Sequence, residues 1–378
     1  MSRSSALLKL DLLSSGIGYD KEFLIAFGQR SGLLEKRRAY GTGDTLLFDR
    51  TVRVPQEIIL GSDVVCAVNY SADSPWRLAF DGPTPVISNG RERHYVGLPA
   101  RPAFYGARLK SGQRVEEIVT LYGTGTLGIF SLGHCYYFND HRECRFCSLG
   151  PARDHNSDHL MKVQPQQARE AVGVALGIVP KGIRHILLNG GTARDYDKAF
   201  INMASVLEAA MDAPGADALE GHMISMPPSD FALFDRVAAL GATLAMSLEI
   251  WDPKIFAEIC PGKNQDYGRE HFLQAYDAAV ASLGDGNVYA GFVAGLEPAA
   301  SLIEGMYKMA DRGAVPAVAV FHPDVGSKYA GYARPEVDDL LEIGRHMALI
   351  YKRNGFRPLI AGSGRNSLDT EAYCQYFV

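Results

Sequence analysis

The sequence predicts an α/β protein: a partial (β/α)6 TIM-type barrel with a smaller, mostly β N-terminal module. Three observations carry that expectation. The first third of the chain reads as short strands separated by Gly, Pro, Asp and Asn. From about Leu127 onward, strand-like runs alternate with longer helical stretches, the pattern of a parallel sheet with crossover helices. A cluster of three cysteines follows the first of those runs, where a barrel carries its chemistry.

In chain order, Lys21 to Leu34 is expected to form a helix capped by Asp20. The stretches Leu46 to Val54, Glu57 to Leu60, Val64 to Asn69 and His94 to Gly97 are β-rich, and this module carries no evident chemistry of its own. The barrel strands are expected at Leu127–Leu132, His185–Leu188, Leu219–Ser225, Thr243–Ile250, Asn287–Val293 and Ala317–Phe321. Helices are expected at Pro165–Ile178, Tyr196–Met211, Asp230–Leu240, Glu270–Leu283, Ala299–Arg312 and Pro335–Asn354. That makes six β/α units, short of an eightfold barrel of typically ~250 residues. The expected organisation is an N-terminal module over 1–120, the barrel core over 121–330, and a C-terminal helix and extension over 331–378 that closes the barrel.

Composition narrows the function. The 378 residues are 47% apolar and 21% charged with a net charge of −5, which suits a globular enzyme and offers no basic tract for nucleic acid. The apolar stretch Ala6 to Leu13 is interrupted by Lys9 and Asp11, which makes a poor signal peptide, and no run is long enough to span a bilayer. A cytoplasmic location is therefore expected, and there clustered cysteines are metal ligands more often than disulfides.

Four motifs carry chemistry. Cys135, Cys144 and Cys147 put three thiolates within thirteen residues of a chain with six cysteines. Soft sulfur at that density selects zinc, copper(I) or an iron–sulfur cluster, and three ligands leave one position open. The alternative is a structural zinc completed by His134, His141 or His155. Second, Asn189-Gly190-Gly191-Thr192 joins a strand to a helix through glycines that expose backbone N–H and C=O groups, although a plain tight connection would look the same. Third, Glu249 ends an apolar strand, where a carboxylate is costly unless it is paired, holds a ligand or faces solvent. Fourth, Gly291 to Glu297 leaves the fifth strand with glycines that permit close approach of a ligand, Gly295 among them. A competing GxGxxG at Gly123–Gly128 precedes a strand instead of a helix, so a hairpin turn is its expected use.

Together, in this order, the four motifs resemble the radical S-adenosylmethionine (radical SAM) superfamily. The resemblance spans about Leu127 to Lys328 and makes the expected barrel one of radical SAM type. Phe146 matches the aromatic of the family's cluster loop, which packs near adenine, and Ile259 to Lys263 and Phe321 to Ser327 look like its connecting segment and sixth-strand exit. The departures are a Cx8Cx2C loop in place of CxxxCxxC, and Thr192 where the family often has Glu. The resemblance implies a [4Fe–4S] cluster on Cys135, Cys144 and Cys147, with SAM bound by Phe146, Asn189, Gly190, Gly191, Thr192, Glu249, Gly295 and Glu297. It also implies a small-molecule substrate, hydrogen abstraction by a 5′-deoxyadenosyl radical in cofactor or natural-product biosynthesis, and a flavodoxin or ferredoxin as electron donor. Candidate catalytic groups are His222, His322 and Asp324, with Ser225 and Arg365 as further substrate-facing residues, and Cys374 beside Tyr373 as a hydrogen-atom donor over the barrel mouth. Peptide or protein modification is the alternative within enzymes; a non-catalytic iron–sulfur or zinc protein is the alternative outside them.

Overall fold

Seven strands form the main sheet, and six of them are parallel. In the computed structural model, which describes residues 2–36, 53–154, 160–179, 181–359 and 364–378, the N-terminal strands are β1 (Gly18–Tyr19), β2 (Glu57–Leu60), β3 (Val64–Ala67), β4 (Arg77–Asp81), β5 (Thr84–Ser88) and β6 (Arg93–Gly97). The main sheet holds β7 (Val119–Tyr122), β8 (Thr126–Leu132), β9 (His185–Gly190), β10 (Glu220–Ser225), β11 (Thr243–Glu249), β12 (Val288–Ala294) and β13 (Val315–Val320). Strands β8 to β13 pair in sequence order, each parallel to the next. Helices such as Pro165–Ile178, Tyr196–Met211, Arg269–Leu283 and Ala299–Ala310 cross between them. This is the expected six-unit partial barrel.

The GxGxxG stretch is a hairpin, as its context predicts. Strand β7 runs antiparallel to β8, with Gly123 at φ +56° in the turn between them.

Among the described residues the N-terminal sheet has six strands in the order β1-β4-β5-β6-β2-β3, mostly antiparallel. Strands β4 and β5 are not among the sequence expectations, and the reading at Leu46 to Val54 lies mostly outside the described residues. The helix capped by Asp20 stops at Gly28 instead of Leu34, because Leu33 and Glu35 are drawn into bridges with Ala100 and Pro55. The apolar stretch at Ala6 to Leu13 belongs to a helix, Ser2–Ser15. Its two charges are satisfied internally: Lys9 is buried against Glu371 at 2.9 Å, and Asp11 accepts from the Trp76 indole at 2.9 Å.

The C-terminal segment packs against β13 and the N-terminal sheet. Ser367 bridges Ala319 antiparallel, the Val320 N–H donates to the Asn366 carbonyl at 2.9 Å, and the Ala67 N–H donates to the Arg365 carbonyl at 2.9 Å. Asn69 and Asn366 bond side chain to side chain at 2.8 Å. This segment thus ties β13 to the edge of the N-terminal sheet. Among the described residues, no helix is long and apolar enough to cross a membrane.

Candidate active site

At the C-terminal ends of the parallel strands lies a cavity of about 410 Å³. Much of its lining comes from successive strand ends, because in a parallel sheet the chain leaves every strand on the same side. From β8 come Cys135, Cys144, Phe146 and Cys147; from β9 come Asn189, Gly190, Gly191 and Thr192. Strand β10 contributes Ser225, β11 contributes Ser247 and Glu249, and the exit of β13 contributes His322 and Asp324. The four stretches 135–147, 189–192, 225 and 247–249, separated in sequence, face one space.

The cysteine loop is held from two directions. The Tyr136 N–H donates to the Thr192 carbonyl at 2.9 Å, while the Arg145 N–H reaches the Ile259 carbonyl and the Gly262 N–H reaches the Arg142 carbonyl, both at 2.9 Å. Gly191 is required by this packing: a Cβ there would stand 2.1 Å from the His134 carbonyl oxygen. Burial pushes the Cys135 thiol up to about 11 and raises Cys147 well above its usual value. Cys144 goes the other way, held down first by a hydrogen bond from the buried Cys260 thiol and then by the Lys263 ammonium, against the effect of burial. Cys144 is therefore the thiol most readily ionised for a metal.

Glu249 answers the question its sequence position raises. It ends β11 at φ +74° where the register with β12 shifts, and its carboxylate accepts from the buried Lys263 ammonium at 2.8 Å. Lys263 also donates to the Ser247 carbonyl at 2.6 Å. Burial works against the Lys263 charge, but Glu249, Cys144 and Cys260 outweigh it and raise its pKa.

On the opposite side, His322 Nδ1 stands 2.9 Å from Asp324, and Ser148 donates to the same carboxylate at 2.6 Å. Burial alone would raise Asp324, but His322, Ser148 and Lys36 hold it below the usual carboxylate range. The Ser225 hydroxyl is buried, lines the cavity and has no hydrogen-bond partner among the described residues.

No protein-family model matches the chain. It is similar to the bacteriochlorophyllide c C-7(1)-hydroxylase of Chlorobaculum limnaeum, 26% identical over 262 residues that cover 65% of this chain and 64% of that protein. The chain thus spans just under two thirds of that relative. Among solved structures it aligns with a radical SAM methyltransferase from Sphaerobacter thermophilus, with a TM-score of 0.43 and 16% identity over 77% of this chain and 82% of that one. It also aligns with the [FeFe]-hydrogenase maturase HydG from Carboxydothermus hydrogenoformans, with a TM-score of 0.45 and 18% identity over 63% and 54%. In the chain itself the four motifs occur in order, and the first three meet at one end of a six-unit parallel barrel. They are the motifs in which the chain resembles the radical SAM superfamily.

Radical SAM proteins use a [4Fe–4S] cluster and SAM. The donor set suits them: three free thiols line one wall, with a glycine turn and a carboxylate beside them. Among the described residues no three His, Cys, Asp or Glu groups are placed to share a single metal ion. His155, one of the residues weighed for a zinc site, lies outside the described residues; Arg153 donates to His134 Nδ1 at 3.0 Å.

Several sequence candidates sit elsewhere. The Glu297 carboxylate does not line the cavity; it accepts from the Trp251 and Asp252 N–H groups at 2.7 and 2.9 Å and from Ser301 at 2.7 Å. Gly295, at φ +97°, packs against Pro335. His222 lies deeper, in an adjoining chamber of about 270 Å³, with Nδ1 2.5 Å from the Thr243 hydroxyl. Burial, reinforced by His185, pushes His222 well below its usual pKa, so its ring is neutral. Cys374 is exposed and lines neither space, because the helix Asp369–Tyr373 is anchored through Glu371 to Lys9 and ends facing solvent.

The structure also adds residues that the sequence reading lacked. The N-terminal module is not chemically silent: Lys36, Gln56 and Asn69 line the cavity. Lys263 is the other addition, and its signal was an unpaired-looking carboxylate on an apolar strand.

Proposed function

We propose that this chain is a radical SAM enzyme that abstracts hydrogen from a small-molecule substrate in cofactor or natural-product biosynthesis. The observation that carries the reading is the convergence of Cys135, Cys144, Cys147, the 189–192 turn and Glu249 on one cavity. In this reading the three thiolates hold the cluster, Phe146 packs on the adenine, the Asn189–Thr192 backbone meets the methionine end, and Glu249 accepts from a ribose hydroxyl. Bound there, a cluster and SAM would supply one-electron chemistry able to take hydrogen from carbon.

The protein's own task is to hold the target C–H bond close and keep out stray hydrogen donors. The C-terminal segment serves this by walling the cavity with Arg365 and Asn366. The His322–Asp324 pair is the group placed to hold or move a proton at the substrate, and neutral His222 offers a hydrogen-bonding nitrogen in the inner chamber. A small molecule is favoured by the two adjoining chambers of about 410 and 270 Å³, and by the name of the Chlorobaculum relative, a hydroxylase of a bacteriochlorophyllide. A flavodoxin or ferredoxin as electron donor, a cytoplasmic location and the division into 1–120, 121–330 and 331–378 belong to the same proposal.

The test is anaerobic reconstitution followed by reduction with SAM present. Methionine and 5′-deoxyadenosine are the expected products, formed slowly without substrate. Their absence from protein with a verified, reducible cluster would favour an electron-transfer or scaffold role. S-adenosylhomocysteine in their place would indicate methyl transfer.

A further inference from the structure

The long gap in the cysteine loop begins in the protein interior and is exposed at Asn139 to His141. Of the eight residues between Cys135 and Cys144, the first three form a 3-10 turn, Tyr136–Phe138, whose two tyrosines are buried with ring centroids 4.3 Å apart. Both phenols converge on a third, Tyr196, in the first turn of the helix that follows the 189–192 turn. The Tyr137 and Tyr196 hydroxyls are 2.7 Å apart, and those of Tyr136 and Tyr196 are 3.2 Å apart. Tyr136 also donates to Asp266, which is paired with Arg142 of the same loop. Asp266 ends the short helix Pro261–Asp266, the one that carries Lys263 to Glu249. Gly262 of that helix packs against Tyr137, where a Cβ would come within 2.3 Å of the ring.

We propose that Tyr136, Tyr137 and Tyr196 are positioning residues, a phenol triad that fixes the spacing of the cysteines and couples their loop to the two segments on the SAM side of the cavity. The claim rests on the assignment of Cys135, Cys144 and Cys147 as cluster ligands. Its physical basis is that a loop of this length, left to itself, samples many thiol arrangements, and each one excluded in advance lowers the ordering entropy lost when ligands close on a metal. Two half-buried hydroxyl contacts and one charge-assisted contact to Asp266 hold the turn without touching any sulfur.

The test uses the full chain, with Tyr196→Phe removing both phenol contacts while keeping the ring. Tyr267→Phe is the control: its ring meets Tyr196 edge-on at 5.4 Å, but its hydroxyl goes to the Pro228 carbonyl at 2.8 Å and lies outside the triad. On metal-free protein, alkylation of Cys135 and Cys144 by N-ethylmaleimide is read by peptide mass spectrometry against the exposed Cys374. On reconstituted protein, iron release to a chelator and the electron paramagnetic resonance (EPR) spectrum of the reduced cluster are recorded.

Tyr196→Phe should speed alkylation of both loop cysteines and iron release by about tenfold and alter the EPR spectrum, while Tyr267→Phe stays within about twofold of wild type. If Tyr196→Phe does not fold, Tyr137→Phe deletes the 2.7 Å contact from its other end and carries the same expectation. Unchanged alkylation and EPR spectra, or equal acceleration in Tyr267→Phe, would overturn the proposal. A Cys135→Ala protein that keeps full iron would instead overturn the ligand assignment, and the alkylation rates of metal-free protein would still report on the triad.

Discussion

Lys263 bonds to Glu249 at 2.8 Å and to the carbonyl of Ser247 at 2.6 Å, so one buried ammonium fixes both the end of β11 and the carboxylate that faces the cavity. Glu249 holds a left-handed backbone, φ +74°, that a residue with a Cβ adopts only at a cost of about 1–2 kcal/mol. The ion pair supplies the compensating interaction.

Glu249→Ala should therefore act twice. It leaves the Lys263 charge buried without its carboxylate, which should destabilise the protein by about 3–5 kcal/mol in chemical denaturation. It should also weaken SAM binding by about ten- to a hundredfold in calorimetric titration of cluster-loaded protein. The double variant Glu249→Gln/Lys263→Met should recover much of the stability and none of the affinity. Wild-type SAM affinity in either protein would remove Glu249 from the binding site.

Replacing Cys135, Cys144 or Cys147 with Ala should abolish cluster assembly, measured as iron and sulfide per chain, because no other cysteine lines the cavity. Cys66→Ala should leave the iron content unchanged: Cys66 is fully buried in β3, with its thiol pushed up to about 12 by burial. Cys260→Ala should also keep its iron, since Cys260 supports Cys144 from behind.

Gly191→Ala tests the packing of the cysteine loop on the β9 exit. The added methyl group would meet the His134 carbonyl and the Cys135 N–H, neither of which can yield without moving Cys135. A loss of roughly 1–3 kcal/mol in stability is expected, together with faster loss of iron. A variant with wild-type stability and iron retention would show that the loop adjusts freely.

Asp369 predicts a pH effect far from the cluster. Burial, with Glu371 adding and Lys9 opposing, pushes its carboxyl up to about 7, while its Oδ1 accepts from the Val318 N–H at 3.1 Å. Its folded pKa lies above the unfolded value of about 3.9, so the folded state binds the extra proton between the two. The stability this protonation confers is complete below about pH 4 and is lost as pH rises through 7. Relative to Asp369→Asn, wild type should lose about 2 kcal/mol between about pH 5.5 and 7, read from denaturation midpoints at each pH. A constant difference across that range would mean that Asp369 is ionised throughout.

Local pattern and spacing determined a good deal of this protein. Two helices, Pro165–Ile178 and Tyr196–Met211, begin and end where periodicity places them, and the six barrel strands fall within about two residues of their expected bounds. The cysteine triad and the glycine turn were equally legible, because their chemistry is written in residue type and short spacing. Tertiary structure alone decided what depends on distance through space. Lys263 is fourteen residues from Glu249, Lys9 is 362 residues from Glu371, and Asn69 is 297 residues from Asn366, and no periodicity signals such pairs. The same reason explains Glu297, whose motif position suggests a ligand contact but whose carboxylate is taken up by the N–H groups of Trp251 and Asp252. A buried charge goes to whichever donors the fold brings within reach, and only the folded chain says which those are.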